Sequence, residues 1–275
     1  DERRSDWVYL TDVDDESVCL DLGCGWGAVA VGLAERCGQV YAMDATWERL
    51  RMLVLRKEQE HIDNLHPVYG GTNLSFPFRR DSFDLISLVG VLEWIPQWKK
   101  DMHPWACHIH ALKKLHGHLK DNGSIYIAIE NRTGYNYIMG RKDHNGVRFV
   151  SLMPRPLADV VSRISTGSGY RTYQYTFMGY RKLLKLAGFT DIRFYITVPN
   201  YRDPYVYLPM DSPEAARYFI DELFDTFTLI SPERKKEYAV EYAAAKAALK
   251  VGSIFPLWRL LKWITPGFSI IARKK

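Results

Sequence analysis

The ten residues Val18-Cys19-Leu20-Asp21-Leu22-Gly23-Cys24-Gly25-Trp26-Gly27 constrain this chain more than any other stretch. An apolar run interrupted by Asp21 closes into three glycines at alternate positions, and a small-residue helical pattern follows from Ala28 to Arg36. Strand, glycine loop and helix in that order open a doubly wound α/β sheet. Glycine permits φ > 0 and lets a ligand lie against the main chain without a Cβ in the way. The spacing is Asp-x-Gly-x-Gly-x-Gly, not the Gly-x-Gly-x-x-Gly of dinucleotide binding. A second strand pattern, Gln39 to Met43, ends in Asp44, 17 residues after Gly27. An acid at that strand tip accepts the hydroxyls of a ribose.

These residues resemble the first two motifs of class I S-adenosylmethionine (SAM) methyltransferases. The resemblance implies a Rossmann-like, seven-stranded α/β fold with SAM as cofactor. It places the methionine part along Asp21, Gly23, Gly25 and Gly27 and the ribose at Asp44. Strand four, Phe83–Leu88, runs into Gly90 and Val91, which the resemblance sets beside the adenine and the methyl group. Where the family usually carries an acid for the adenine amino group, this chain has Thr72 and Asn73. Trp94 reads equally well as core or as cavity wall.

Alternating strand and helix patterns continue through the chain. Strands are expected near 18–22, 39–43, 66–69, 83–88, 124–129, 191–198 and 268–273. Helices are expected near 26–36, 46–61, 106–119 and 176–187, the third stopping at Asn122-Gly123. That is a single methyltransferase domain over 1–275, with its core in 16–130, 176–199 and 267–275. Two insertions, 131–175 and 200–266, leave from the carboxyl edge of the sheet, where open α/β folds bind ligands, and are expected to form the acceptor pocket and lid. The second carries helical patterns at 212–229 and 233–250.

The motif Glu130-Asn131-Arg132-Thr133-Gly134 with Asp143-His144-Asn145-Gly146, together with Gly90-Val91-Leu92-Glu93-Trp94, narrows the resemblance. It is similar to methyltransferases found with bacterial glycosyltransferases of surface-polysaccharide assembly. The implied acceptor is an oxygen of a sugar or glycan intermediate, and a glycosyltransferase is an implied partner. His144 is the candidate general base, since a neutral imidazole takes the proton of a weakly nucleophilic hydroxyl. Asp143 is a candidate to orient its ring, and a plain polar turn is the competing reading of 143–146. Glu130 and Arg132 are the candidates to hold the acceptor, with a strand-end salt bridge as the alternative. The remaining histidines form no cluster with carboxylates, and no metal is expected.

Net charge is +5, and all of the excess sits in 131–175, with seven Lys/Arg against two Asp/Glu. A local excess suits an anionic acceptor better than a duplex-binding face, so no nucleic-acid partner is expected. Residues 254–264, IFPLWRLLKWI, pattern either as a core-packed helix or as a peripheral membrane contact. The polar opening Asp1-Glu2-Arg3-Arg4, the four cysteines without Cys-x-x-Cys spacing and the lack of a spanning apolar run point to a reduced, cytoplasmic chain. A small-molecule O- or N-methyltransferase of secondary metabolism is the alternative enzyme. A catalytically silent SAM-binding scaffold is the alternative outside enzymes.

Overall fold

A computed structural model describes residues 2–218 and 262–275, with positions 222, 243, 247 and 250 between them. The strands are β1 (Val18–Leu22), β2 (Gln39–Asp44), β3 (Leu65–Tyr69), β4 (Phe83–Val89), β5 (Leu119–Glu130), β6 (Thr190–Asn200), β7 (Asp203–Pro209) and β8 (Gly267–Arg273). The helices are α1 (Ala30–Ala34), α2 (Trp47–Gln59), α3 (Ile95–Trp98), α4 (Pro104–His118), α5 (Tyr135–Ile138), α6 (Arg155–Thr166), α7 (Phe177–Ala187) and α8 (Pro213–Tyr218). One sheet runs in the order β3-β2-β1-β4-β5-β8-β6-β7. Strands β3, β2, β1, β4 and β5 are parallel neighbours, and β8 inserts antiparallel between β5 and β6.

Among the described residues eight strands form where seven are expected. The additional one, β7, turns straight back from β6 as an antiparallel edge strand. Its residues, Asp-Pro-Tyr-Val-Tyr-Leu-Pro, alternate too irregularly to announce a strand. Pro204 and Pro209 are tolerable there because an edge strand leaves one side unpaired. Thus the second insertion begins as sheet, not as helix. The first part of the pattern at 212–229 forms α8; the rest of it apart from 222, that at 233–250 apart from 243, 247 and 250, and 254–261 lie outside the described residues.

Helix α4 stops at His118, earlier than Asn122-Gly123 suggests. Those residues form an irregularity inside β5: pairing with β4 jumps from Phe83↔Leu119 to Leu85↔Ser124, and Asn122 takes φ of 64°. Helix α7 obeys its caps. The Thr176 hydroxyl accepts from the Gly179 amide, and Gly188 takes the left-handed conformation at the end.

The sheet is buried on both faces, as parallel sheets require. On one side α3, α4 and α7 pack on β4, β5 and β8 through residues such as Leu112, Leu115, Leu183 and Phe268. On the other, α1, α2 and an N-terminal 3-10 segment, Glu2–Leu10, cover β1 and β2. Trp7 from that segment is fully buried and stacks on Tyr126 of β5, with centroids 3.7 Å apart and planes 5° from parallel. Strand carboxyl ends at Leu22, Asp44, Val89 and Glu130 therefore open on one edge, which holds the site.

Candidate active site

A cavity of about 560 Å³ lies along that edge. It falls within the roughly 300–1,000 Å³ range of ligand clefts. Asp21, Gly23 and Gly25 from the β1 loop line it, with Asp44 from β2 and Gly90 and Val91 after β4. Six of the nine expected cofactor positions thus meet around one space.

They do different work. Asp21 is buried, and its Oδ1 accepts from the Ser87 hydroxyl at 2.7 Å while Oδ2 has no partner. Burial pushes its carboxyl up from 3.8 to about 6, which disfavours the ionised form by roughly 3 kcal/mol relative to water. A ligand ammonium at Oδ2 would offset that shift. Asp44 accepts the Gly25 amide at 2.9 Å through Oδ2 and the Thr46 amide at 2.7 Å through Oδ1, so it also sets the glycine loop. Each carboxylate oxygen keeps a second lone pair for a ribose hydroxyl.

The three loop glycines all have positive φ but face different surroundings. A Cβ on Gly25 meets nothing within 4 Å, so this glycine opens on the cavity. On Gly23 a Cβ falls 2.4 Å from Val91 Cγ2, and on Gly27 it falls 2.3 Å from Leu53 Cδ1. Gly23 is therefore needed where β1 passes the β4 loop, and Gly27, which does not line the cavity, is needed where the helix start meets α2. Thr72 is exposed on a 3-10 turn and also stays off the cavity wall, as the backbone glycines before it, Gly70 and Gly71, reach the wall instead. Asn73 shares that turn, and its side chain lies outside the described residues.

Several wall residues give no advance signal in the sequence. Arg4 arrives from the N-terminal segment, and its buried Nε lacks a partner. Arg49 comes from α2, and Trp26, Trp94 and Trp98 complete the wall. Trp94, 38% exposed, is a wall residue and not core.

Beyond Trp94 lies a polar cluster. The Trp94 and His144 rings are 5.0 Å apart, and His144 Nε2 stands 3.3 Å from Glu130 Oε2 and 3.6 Å from Glu93 Oε1. These are ion-pair distances without hydrogen-bond alignment, so His144 Nε2, Glu130 Oε2 and Glu93 Oε2 all lack partners. Apo catalytic contacts are often loose in this way. Burial alone would lower the His144 imidazole, but Glu130, then Glu93, hold it above its ordinary value. Glu93 is raised by burial and by the charge of Glu130. Glu130, despite burial, is held low by His144 and Arg202. Within the cluster Glu130 is the group held ionised, while Glu93 and His144 keep their protons to higher pH than usual.

Glu93 is missed by sequence reasoning. It sits one residue before Trp94 on a turn anchored by His108, whose ring nitrogens contact Leu92 O and the Tyr175 hydroxyl, each at 2.8 Å. His108 is fully buried and lowered to about 3 by desolvation, so it is a structural imidazole, not a surface one. Tyr201 and Arg202 are missed as well. They form the β6–β7 turn, and Arg202 donates to Glu130 Oε1 at 2.8 Å. One ligand atom from each of Glu93, Glu130 and His144 falls within 4.8 Å of the others, a convergence invisible in their spacing.

Two expected roles change. Arg132 does not reach an acceptor position. Its guanidinium donates to Ser151 O and Met153 O, both at 2.7 Å, and braces the first insertion. Asp143 does not orient the His144 ring: its carboxylate takes the His144 backbone N–H and, at 2.6 Å, the Tyr170 hydroxyl. The basic excess is similarly absorbed. Arg148 donates to Gly140 O, Arg155 to Gln174 O beneath the Tyr173 ring, and Arg171 to Pro96 O, Lys99 O and Met102 O.

Residues 20–127, which carry β1 to β5 and most of the cavity, match the sequence family described as a methyltransferase domain. The chain carries a SAM-dependent methyltransferase domain. No curated protein matches the sequence. In fold the domain is similar to the crystal structure of the [4+2]-cyclase SpnF, at 15% identity and TM-score 0.55 over 99% of this chain and 80% of that one. It is also similar to a putative sarcosine dimethylglycine methyltransferase from Galdieria sulphuraria, at 16% identity and TM-score 0.53 over 100% and 84%. Phosphoethanolamine N-methyltransferase 2 from Haemonchus contortus, solved with phosphomonomethylethanolamine and S-adenosylhomocysteine, aligns at 15% identity and TM-score 0.53 over 99% of this chain and 52% of that one. At such identities the likeness concerns the fold. The cofactor of the domain is SAM, and the orphaned Asp21 Oδ2, the open face of Gly25 and the carboxylate of Asp44 are chemically suited to its ammonium, methionine chain and ribose. Among the described residues no helix is long and apolar enough to cross a membrane.

Proposed function

We propose that this methyltransferase methylates a hydroxyl oxygen of a sugar or glycan intermediate, with His144 as general base. The observation that carries the reading is the Glu93–His144–Glu130 cluster joined through Trp94 to the wall of the cofactor cavity. Bound SAM supplies an electrophilic methyl on a sulfonium. The chain's part is alignment and proton removal. Asp21 and Asp44 fix the two ends of the cofactor, and Gly25 leaves room for it. His144 Nε2 receives the hydroxyl proton as the oxygen attacks, and Glu130 stabilises the imidazolium that results. Glu93, held neutral, is a hydrogen-bond donor to the same oxygen or its neighbour.

The preference for a sugar rests on the motif resemblance, since a fold does not fix an acceptor. The glycosyltransferase partner rests on the same resemblance, and a peripheral membrane contact rests on the tryptophans and cations of 254–264. Incubation with labelled SAM and extracts of nucleotide sugars and glycans tests the reading. Formation of S-adenosylhomocysteine that depends on a sugar-containing fraction is expected, and His144→Ala should lower it by roughly a hundredfold or more, the usual worth of a positioned base. Product in equal amount without any acceptor, or undiminished turnover in His144→Ala, defeats it.

A further inference from the structure

Behind Glu130 lies a second cavity of about 220 Å³, lined by Glu130, Asn136, Arg141, Asn200, Tyr201 and Arg202 among others. We propose that it is an acceptor subsite for an anionic group, a phosphate or a carboxylate, carried on a monosaccharide-sized acceptor. The inference rests on the methyl-transfer reading for what the cavity serves, but its physical argument is separate.

Position comes first. Glu130 belongs both to this cavity and to the cluster with His144 and Glu93, and the cluster reaches the cofactor cavity at Trp94. A molecule in the smaller space therefore meets the cluster at Glu130, the residue that contacts His144. Size comes second. At roughly 30 Å³ per water the space holds about seven waters, enough for a sugar ring or its charged substituent and too little for a nucleotide.

The third argument is an unanswered amide. Asn136 is only 7% exposed, yet neither its Oδ1 nor its Nδ2 has a partner. Each buried polar atom left this way costs about 1–3 kcal/mol. By contrast, Asn131, five residues earlier, directs its amide nitrogen at Trp263 O and Thr265 O, at 3.1 and 2.9 Å. The unsatisfied amide is the one that faces a cavity. A ligand hydroxyl answers Oδ1, and an anionic oxygen answers Nδ2.

Charge fixes the class. Arg202 is matched by Glu130, so their pair leaves no net charge. Arg132, Arg148, Arg155 and Arg171 are committed to backbone carbonyls, and Arg163 pairs with Asp159 at 2.8 Å. Arg141 is exposed, has no ion pair among the described residues, and lines the cavity. The space therefore carries one cation in excess, with a guanidinium fork suited to phosphate or carboxylate.

The test is calorimetry on the full chain saturated with S-adenosylhomocysteine, titrated with inorganic phosphate, glucuronate and glucose. Phosphate or glucuronate should bind, and the tighter of the two names the group. Glucose should bind at least tenfold more weakly. Arg141→Ala should weaken the anionic probe by roughly tenfold or more, Arg141→Lys should restore part of it, and Lys142→Ala, off the cavity, should leave it unchanged. If no anionic probe binds, if glucose binds equally well, or if Arg141→Ala and the parent are alike, the subsite does not exist. Failure of the methyl-transfer reading is distinguishable. Probe binding would then persist while no acceptor yields S-adenosylhomocysteine.

Discussion

Gly23 and Gly25 are two residues apart, share positive φ and serve different ends. At Gly23 a methyl group collides with Val91, whereas at Gly25 it enters free space beside the cofactor cavity. Left-handed backbone costs an L-residue about 1–2 kcal/mol in either place. Gly23→Ala adds overpacking, typically another 1–3 kcal/mol, and should lower the melting temperature more than Gly25→Ala does. Gly25→Ala should instead reduce the affinity for S-adenosylhomocysteine while the fold persists. Thermal melts and calorimetry on both variants check this. The reverse ranking would move the cofactor away from Gly25.

At the scale of elements, the first insertion is strapped to the body of the domain. Strand β5 delivers Glu130 to the site, and the next two residues turn away to hold the chain. Asn131 clamps the approach to β8 and Arg132 clamps 151–153. A charge-assisted hydrogen bond contributes about 1.5–3 kcal/mol. Arg132→Ala, which removes two, should destabilise the first insertion by several kcal/mol and speed hydrogen exchange across 140–153. Acceptor KM and kcat should then change together, as the segment carrying His144 loosens. A pure KM effect with unaltered exchange would return Arg132 to the acceptor. The second insertion contributes through its first turn. By folding back as β7 on the sheet edge, it places Tyr201 and Arg202 against Glu130.

For the whole molecule, the same buried groups set activity and stability against each other. His144 must be neutral to accept a proton, and Glu130 and Glu93 hold its pKa above 6.5. The kcat–pH curve should therefore rise through a midpoint above 6.5, higher than an unperturbed imidazole gives. Stability moves the other way. A raised folded-state pKa means that the folded state binds more protons than the unfolded one between the two values, so stability falls as pH climbs through that window. Asp21 acts between 3.8 and about 6, Glu93 from 4.5 upward and His144 from 6.5 upward. His108, lowered to about 3, opposes up to 6.5, and Glu130 opposes in acid, below 4.5, where protonation removes its contribution. Above 6.5 the raised groups are left to act, so melting temperature should be higher near pH 6.5 than near pH 8.5, with the difference reduced in Glu93→Gln. A flat melting profile together with an activity midpoint at or below 6.5 would contradict the charge state assigned to the cluster.

The local features of this chain were legible in its residues. The apolar run into Asp21 and the glycines, the tip acid Asp44 and the seven expected strands are properties of short segments, where backbone sterics and periodicity act within a few residues. Asp21, Gly25, Asp44, Gly90 and Val91, singled out with them, line one cavity, and His144 was singled out by the motif at 143–146. What only the tertiary structure decided depends on which segments meet. Glu93 lies 37 residues from Glu130 and 51 from His144, and no spacing rule pairs them until β4, β5 and the first insertion converge on one sheet edge. Arg132, Arg148, Arg155 and Arg171 looked like a basic patch because sequence shows charge but not the carbonyls that accept it. Strand β7 exists because β6 offers an edge, and an edge is a property of the sheet, not of Asp203–Pro209. A residue's own conformation is set by near neighbours. Its chemical role is set by the desolvation and partners that folding brings to it.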